Sequence, residues 1–228
     1  MNRRFEPALQ ATGCKPATGG CPALLCIDLQ YLGTVEGHGL FENHRKLGVP
    51  ERLIQYYLDR VRDKVLPTVK TLQEAFRARN MEVIHVRVQS LTADGRDRSP
   101  EHVRLGIHAP PGSERASFLP EVAPQGDEIV INKTASGLFT ATNIHYVLQN
   151  MNITDLYVVG VYTNECVSSA VRSGADLGYR MTLISDGTAA ISPELHKATL
   201  LTLKGRFAAV LEADEVIKAL ERTHALET

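Results

Sequence analysis

Short, fully apolar runs alternate along the chain with longer stretches in which apolar residues recur every three or four positions. A run that is apolar on both faces is typical of a parallel strand covered by helices, and the three-to-four spacing predicts amphipathic helices. The clearest helix begins at Pro50 and continues to Phe76, and Pro67 is expected to kink or split it near Lys64. Six runs are interpreted as strands: 23–27, 81–88, 128–131, 157–161, 179–184 and 207–211.

The order of these segments predicts the fold class. Further helices are expected at 142–149, 193–204 and 213–223, and one begins near Cys166. Strands that alternate with helices throughout indicate an α/β protein with a doubly wound, six-stranded parallel sheet and helices on both faces. We expect one domain over 23–224, preceded by an irregular N-terminal arm at 1–22.

Two connections are unusually long for a compact domain. The Gly-rich segment 29–49 is predicted to be a loop that exposes Tyr31 and Phe41, and loops of this length are often functional. The segment 89–127 is rich in Pro, Gly and charge, with one helical turn expected near 100–105. It is either a solvated connection or a functional element, namely a lid or a subunit contact.

Composition narrows the function classes. The chain has 228 residues, 43% of them hydrophobic and 22% charged, with a net charge of −1, so nothing indicates a nucleic-acid or membrane partner. No apolar run approaches the roughly 20 residues of a membrane span, and the N-terminus lacks the apolar core of a secretory signal. Cys14 and Cys21 can pair in an oxidising setting, but a reduced, cytoplasmic protein is the simpler interpretation.

Cys166 is the candidate nucleophile. The apolar strand 157–161 leads into a polar turn at 162–164, and a helix with an apolar face follows. Asn164 is the expected N-cap. A thiol in the first turn lies beside unpaired N–H groups and the positive end of the helix dipole, which favour thiolate. The alternative is a small buried core residue, which is the usual environment of a free cysteine.

Three polar residues follow three predicted strands: Asp28, Lys133 and Cys166. Ligands of open parallel sheets bind outside the carboxyl ends of the strands, so we expect these ends to lie side by side and to form a catalytic set. A lysine near the thiol favours thiolate, and a carboxylate beside both can shuttle a proton. The alternative to a catalytic role is that Asp28 caps the amides of a neighbouring loop and that Lys133 is a solvated charge at a strand end.

Other chemistries find no support in the sequence. The eight histidines form no close ligand pair, so we predict no protein-built metal site and no cofactor. No phosphate-binding glycine motif is present. None of the histidines is well placed to act as a base, and His85, within the second strand, is expected to be a core residue.

The motifs around the three residues resemble those of the isochorismatase-like cysteine hydrolases, which use an Asp–Lys–Cys triad. Asp28 lies in CIDLQ, Lys133 in INKTASGLF and Cys166 in GVYTNECV, and the resemblance covers most of 23–211. It implies a cis peptide bond between Val161 and Tyr162. It also implies that the backbone N–H groups of Tyr162 and Cys166 bind an oxyanion.

Departures from the family pattern narrow the expected chemistry. The segment HVRVQSLTADG lacks the Asp/His set of metal-binding nicotinamidases, and retention of Cys166 favours amide over isochorismate chemistry. Ala135 replaces a common arginine, so the substrate pocket is expected to differ from those of better-known branches.

The resemblance therefore implies an amidohydrolase that cleaves a C–N bond of a small amide or ureide through a thioester. Biuret-like ureides, carbamoyl amino acids and maleamate-like acids all remain open as substrates. The alternatives are an isochorismatase-type enol-ether hydrolase and a non-hydrolytic reactive-thiol or binding protein. We expect a homo-oligomer, a dimer or a tetramer. Seven residues are predicted to bind substrate: Tyr31, Leu32, Arg87, Gln89, Phe139, Tyr162 and Asn164.

Overall fold

The computed structural model describes residues 21–225, which contain one six-stranded sheet. All neighbouring strands are parallel, and their order is β3–β2–β1–β4–β5–β6. The predicted doubly wound sheet is confirmed. The strands are β1 (Cys21–Ile27), β2 (Glu82–Val88), β3 (Val130–Lys133), β4 (Ile153–Val161), β5 (Arg180–Ala189) and β6 (Ala209–Leu211).

Helices cover both faces of the sheet. Side chains of β1 alternate between the two cores: Leu24 and Cys26 belong to one, Leu25 and Ile27 to the other. The helices are α1 (Tyr31–Thr34), α2 (Leu40–Lys46), α3 (Glu51–Arg60), α4 (Leu66–Arg77), α5 (Pro100–Arg104), α6 (Leu138–Ala141), α7 (Ile144–Asn150), α8 (Ser168–Asp176), α9 (Pro193–Leu203) and α10 (Ala213–Ala225). Helices α3, α4 and α10 contribute to the first core, and α7, α8 and α9 to the second.

The expected irregularity at Pro67 is confirmed. A π-helical turn, Val61–Val65, joins α3 to α4, and Pro67 lies in the first turn of α4. Proline has no N–H to donate to the preceding turn, so the regular hydrogen-bond ladder cannot run through this position.

The segment 29–49 is more ordered than predicted, because it contains α1 and α2. The prediction that Phe41 is exposed is wrong: its ring is fully buried against Tyr57, at 6.1 Å between centroids. Tyr31 is half-buried and packs edge-on against His38.

The segment 89–127 folds back onto the domain. Its predicted helical turn is confirmed as α5, whose first turn is capped by the Ser99 hydroxyl through the His102 amide. Ala109, Ala116 and Val122 are buried in the first core, so a solvated connection does not describe this segment. Its role as a lid or a subunit contact stays a prediction.

The remaining sequence predictions concern the termini, the cysteines and the surroundings of the protein. Cys14 and most of the predicted arm lie outside the described residues, so the Cys14–Cys21 pairing stays a prediction. Cys26 and Cys166 are buried free thiols. No helix within residues 21–225 is long and apolar enough to cross a membrane.

Candidate active site

The sheet topology creates a crevice between β1 and β4. These strands are neighbours, but the chain continues from β1 towards β2 and from β4 towards β5, on opposite sides. Ligands of doubly wound sheets bind at the carboxyl ends of strands at such a switch point. Asp28 directly follows β1, and Cys166 lies just beyond the end of β4.

Lys133 comes from farther away than the sequence predicted. It ends β3, and β2 lies between β3 and β1, so the three strand ends are not all side by side. Two strand spacings amount to about 10 Å. The lysine contributes to the site because its long side chain crosses the end of β2.

The three predicted catalytic residues meet in one buried contact. The Lys133 ammonium lies 2.8 Å from Asp28 Oδ2, and it donates hydrogen bonds to Cys166 Sγ at 3.2 Å and to the Ala135 carbonyl at 3.2 Å. Lys133 is fully buried, and Asp28 and Cys166 are 6% and 8% exposed. A carboxylate, an ammonium and a thiol are thus held together away from bulk water.

The backbone at the end of β1 and β4 has special geometry. Asp28 has a φ of 56°, and its N–H donates to the Val86 carbonyl at 2.9 Å. Gly160 of β4 has a φ of 118°, and a Cβ there would lie 2.0 Å from the carbonyl oxygen of Ile27. Only glycine allows the two strands to approach this closely beside the site. The next peptide bond but one, Val161–Tyr162, is cis.

Cys166 lies on a π-helical turn, Thr163–Val167, that leads into α8. The Tyr162 carbonyl accepts hydrogen bonds from the amides of Glu165 and Val167. The turn therefore starts after Tyr162, and the predicted N-cap at Asn164 is wrong because Asn164 lies inside the turn.

A buried brace that the sequence did not reveal holds this turn. Thr163 Oγ1 lies 2.9 Å from His196 Nδ1, and the other ring nitrogen of His196 lies 3.0 Å from the Arg60 guanidinium. Arg60 also donates to the carbonyls of Ser185 and Thr188. Three distant segments thus fix the turn that carries the thiol.

The electrostatics of the thiol differ from the expectation. Burial and the Asp28 carboxylate raise the pKa of Cys166 to about 12, although Lys133 opposes them. Lys133 lowers the pKa of the thiol as predicted, but burial and Asp28 outweigh it, so the predicted net stabilisation of thiolate is wrong. Burial alone would lower the pKa of Lys133, but Asp28 and Cys166 together raise it. The resting site therefore contains a thiol and an ammonium.

A cavity of about 250 Å³ opens beside Cys166. Such a volume is below that of sites for drug-sized ligands, which indicates a compact ligand. The residues that line it are Asp28, Gln30, Leu32, Gly33, Leu40, Asn43, His44, Leu47, Val49, Val88, His102, Leu105, Ile107, Ser136, Val161, Tyr162, Glu165, Cys166 and Ile191.

Of the predicted substrate-binding residues, Leu32 and Tyr162 line this cavity, and the other five do not. Arg87 donates to Asn132 Oδ1 and to the Ala116 carbonyl and lies over the Phe118 ring. Phe139 stacks on Tyr179. Asn164 lies inside the turn Thr163–Val167, and its Oδ1 is buried without a hydrogen-bond partner within residues 21–225.

The other two also lie away from the cavity. Tyr31 packs on His38, and the Gln89 amide pairs with the Lys133 carbonyl. A position near a strand end did not bring these five to the cavity, and the side chains of Tyr31, Arg87 and Phe139 contact neighbouring structural groups instead.

Several lining residues were missed. His102 is 1% exposed and comes from α5, and burial, followed by the charges of Lys133 and Arg98, lowers its pKa to about 4. His44 packs near Tyr162, at 5.9 Å between rings. Gln30 bonds to both backbone groups of Val88 and to the Arg115 carbonyl. Its place in CIDLQ, two residues after Asp28, was the one usable sequence signal.

No group of three or more potential metal ligands (His, Cys, Asp or Glu) is arranged to hold an ion within the described part of the chain. His85, predicted to be a core residue, is 1% exposed and pairs with Glu128 at 2.8 Å.

The fold and site define an open, doubly wound α/β protein that carries a buried carboxylate, ammonium and thiol at the switch point of its parallel sheet. Residues 22–215 match the family described as the isochorismatase domain. The chain belongs to the isochorismatase-like hydrolase family, and the predicted resemblance is confirmed.

Individual relatives agree with this assignment. A protein of Arabidopsis thaliana described as a probable inactive nicotinamidase is 34% identical over 149 residues, which cover 61% of this chain and 74% of that protein. The crystal structure of a cysteine hydrolase from Pseudomonas syringae pv. phaseolicola 1448A has a TM-score of 0.73 at 21% identity, covering 88% of this chain and 92% of that one. N-carbamoylsarcosine amidase from Thermoplasma acidophilum has a TM-score of 0.64 at 22% identity, covering 85% and 97%. At these identities the two structures establish the fold alone.

Proposed function

We propose that the protein is a cysteine-dependent amidohydrolase that cleaves the C–N bond of a small amide or ureide through a thioester. The observation that carries this proposal is the single contact in which the Lys133 ammonium reaches both Asp28 Oδ2, at 2.8 Å, and Cys166 Sγ, at 3.2 Å. Nucleophile, base and a group that orients both are the parts that covalent acyl transfer needs.

Attack begins from the neutral thiol. Since the pKa of Cys166 is raised to about 12, its proton leaves as the sulfur attacks, and the Asp28 carboxylate takes it. The sulfur forms a bond to the carbonyl carbon, and the negative charge moves to the carbonyl oxygen. The N–H groups of Tyr162 and Cys166 are the proposed donors to this oxyanion.

Collapse of the tetrahedral intermediate breaks the C–N bond. Protonated Asp28 gives its proton to the leaving nitrogen, so ammonia or an amine departs and the acyl group stays on Cys166. Lys133 remains an ammonium throughout, because its interactions with Asp28 and Cys166 raise its pKa although burial opposes them.

Hydrolysis of the thioester returns the site to its resting state. Asp28 takes a proton from water as the oxygen attacks the acyl carbon, and the C–S bond then breaks. The sulfur regains its proton from Asp28, so the net reaction adds one water to one amide and yields an acid and an amine. The family match supports a hydrolytic reaction. Homo-oligomerisation and a cytoplasmic location stay predictions.

The test is release of ammonia or amine from a panel of small amides and ureides. Cys166→Ala should abolish release, and Cys26→Ala is the matched control, because it removes another buried free thiol that does not line the cavity. Intact-protein mass spectrometry during turnover should find the acyl mass on wild type and not on Cys166→Ala. Release that persists in Cys166→Ala would contradict the proposal. Hydrolysis of an enol ether that is insensitive to Cys166 would favour the alternative reaction.

A further inference from the structure

The wall of the cavity is largely apolar. Nine aliphatic side chains line it: Leu32, Leu40, Leu47, Val49, Val88, Leu105, Ile107, Val161 and Ile191. They come from the segment after β1, from the end of β2 and the segment after it, from the end of β4 and from the residues just after β5, so four parts of the chain contribute to the apolar wall. A ligand group that contacts this wall gains free energy in proportion to the apolar area it buries.

The formal charges of the lining are all negative. Asp28 and Glu165 are the acidic lining residues, and neither lysine nor arginine is among the lining residues, counted over 21–225. The Lys133 ammonium behind Cys166 is neutralised by Asp28 at 2.8 Å. Arg98 donates instead to the carbonyls of Gly95 and Ile107. Within residues 21–225, therefore, no cation is placed to receive a ligand carboxylate in the cavity.

The two lining histidines do not supply that charge either. Burial lowers the pKa of His44, and burial with nearby cations lowers that of His102 to about 4, so both rings are neutral at neutral pH. The Nδ1 atoms of both are buried and have no hydrogen-bond partner within residues 21–225. A neutral imidazole with an unused nitrogen can bond to an uncharged polar group of a ligand.

Glu165 adds to the discrimination. Burial raises the pKa of Glu165, Lys133 opposes the rise and Asp28 adds to it. Burial is the largest cause, so a negative charge at this part of the wall is disfavoured mainly because it leaves water. A ligand carboxylate would leave water without gaining a cationic partner, and such a transfer is costly.

We propose that the cavity selects uncharged amides or ureides that carry an aliphatic or aromatic group and rejects those that carry a carboxylate. This inference rests on the proposed amidohydrolase function and names its substrate class. Of the substrates that the sequence left open, it disfavours carbamoyl amino acids and maleamate-like acids.

An isosteric pair tests the charge rule. Glutaramate and 5-oxohexanamide have the same number of heavy atoms, but only the first carries a carboxylate. We expect kcat/KM to be on the order of 100-fold higher for 5-oxohexanamide. From propanamide to hexanamide, kcat/KM should rise about fourfold per methylene. Equal turnover of the pair, or no gain along the series, would overturn the proposal.

A charge added at the rim gives a second test. Leu47 lines the cavity and is 61% exposed, so Leu47→Arg adds a cation without disturbing the core. We expect it to raise the ratio of glutaramate to 5-oxohexanamide turnover about tenfold. Leu201→Arg, at a 75% exposed leucine that does not line the cavity, is the matched control and should leave the ratio unchanged. The same shift in both variants would contradict a rule set by the cavity.

Binding separates this inference from the proposed function. Dissociation constants of hexanamide, 5-oxohexanamide and glutaramate for Cys166→Ala, measured by ligand-observed NMR, do not depend on hydrolysis. Tighter binding of the neutral ligands without turnover by wild type would retain the selectivity and reject the amidase. Turnover of glutaramate as fast as of 5-oxohexanamide would reject the selectivity and retain the amidase.

Discussion

The ammonium of Lys133 lies 2.8 Å from Asp28 Oδ2 although β2 separates their strands in the sheet. The pair is buried, with side-chain exposures of 0% and 9%. A buried ion pair contributes little net stability, but removal of one partner leaves an uncompensated charge in a dry site. Stability and chemistry at this site therefore depend on the same contact.

Replacing Lys133 with methionine should lower both the activity and the stability of the protein. We expect kcat/KM to fall by at least about 1,000-fold, because Cys166 loses its cationic neighbour, and the free energy of unfolding to fall by about 3–5 kcal/mol. Lys64→Met is the matched control. Lys64 is 55% exposed and pairs with Asp186 at 3.4 Å, so its loss should cost less than about 1 kcal/mol. Steady-state kinetics and urea unfolding measure the two effects, and an active Lys133→Met protein would refute the assigned role.

Alanine variants of two glycines should distinguish the cost of a steric clash from the cost of backbone strain. Gly160 and Gly178 both have positive φ, but a Cβ at Gly160 would lie 2.0 Å from the Ile27 carbonyl, whereas nothing lies within 4 Å of one at Gly178. Gly178→Ala should cost about 1 kcal/mol of unfolding free energy. Gly160→Ala should cost more than about 4 kcal/mol or prevent folding, because backbone must move. Equal costs in urea unfolding would show that the β1–β4 approach is unimportant.

Cys26 should make stability depend on alkaline pH. Burial raises the pKa of its thiol from 9.0 to about 12, so the folded protein holds this proton more tightly than the unfolded chain. The resulting stabilisation is complete below pH 9 and is lost as pH rises from 9 to about 12. Within that window this one thiol should lower the free energy of unfolding by about 1.4 kcal/mol per pH unit.

The Cys26→Ala variant isolates this contribution, since the other raised groups, among them Cys166 and Tyr57, act in both proteins. Its unfolding free energy should decline less steeply than that of wild type above pH 9, while below pH 9 the two curves should run parallel. Parallel curves throughout would mean that the Cys26 pKa is not raised.

The brace beneath the Cys166 turn should affect turnover more than affinity. Thr163→Val removes the hydroxyl that meets His196 and leaves a buried ring nitrogen unpaired. We expect kcat to fall roughly tenfold with little change in KM, since displacement of a nucleophile lowers the rate without removing ligand contacts. Thr163→Ser keeps the hydroxyl and should restore kcat. A Thr163→Val variant with unchanged kcat would reduce the brace to a purely structural contact.

The sheet and the three central residues were predictable for a physical reason. Each buried strand is a local apolar run, and a parallel sheet brings carboxyl ends to one edge, so Asp28, Lys133 and Cys166 had to share that edge. Turn and helix signals were also local: Pro67 marked the irregular turn, and the helical turn expected near 100–105 is found as α5.

The cavity wall and the thiol's protonation state were not predictable in this way. His44 and His102 enter the cavity through the folding of long connections, and no local pattern encodes where such a segment packs. Arg87 shows the converse, because its partners Asn132 and Ala116 are distant in sequence. The Cys166 pKa depends on how deeply the thiol is buried and on the opposing charges of Lys133 and Asp28, and both are properties of the assembled site.

Lys133 ends the four-residue strand β3, which lies at the margin of the sheet and pairs with β2 within the described chain. Short marginal strands open at lower free energies than central ones. A transient detachment of β3 would withdraw the ammonium from Asp28 and Cys166 while the other five strands stayed paired. The proposed turnover would then report on whether β3 is attached to the sheet. As denaturant rises, turnover should disappear before the circular dichroism of the sheet changes. Amide exchange at 130–133 should show the same dependence on denaturant as the loss of turnover.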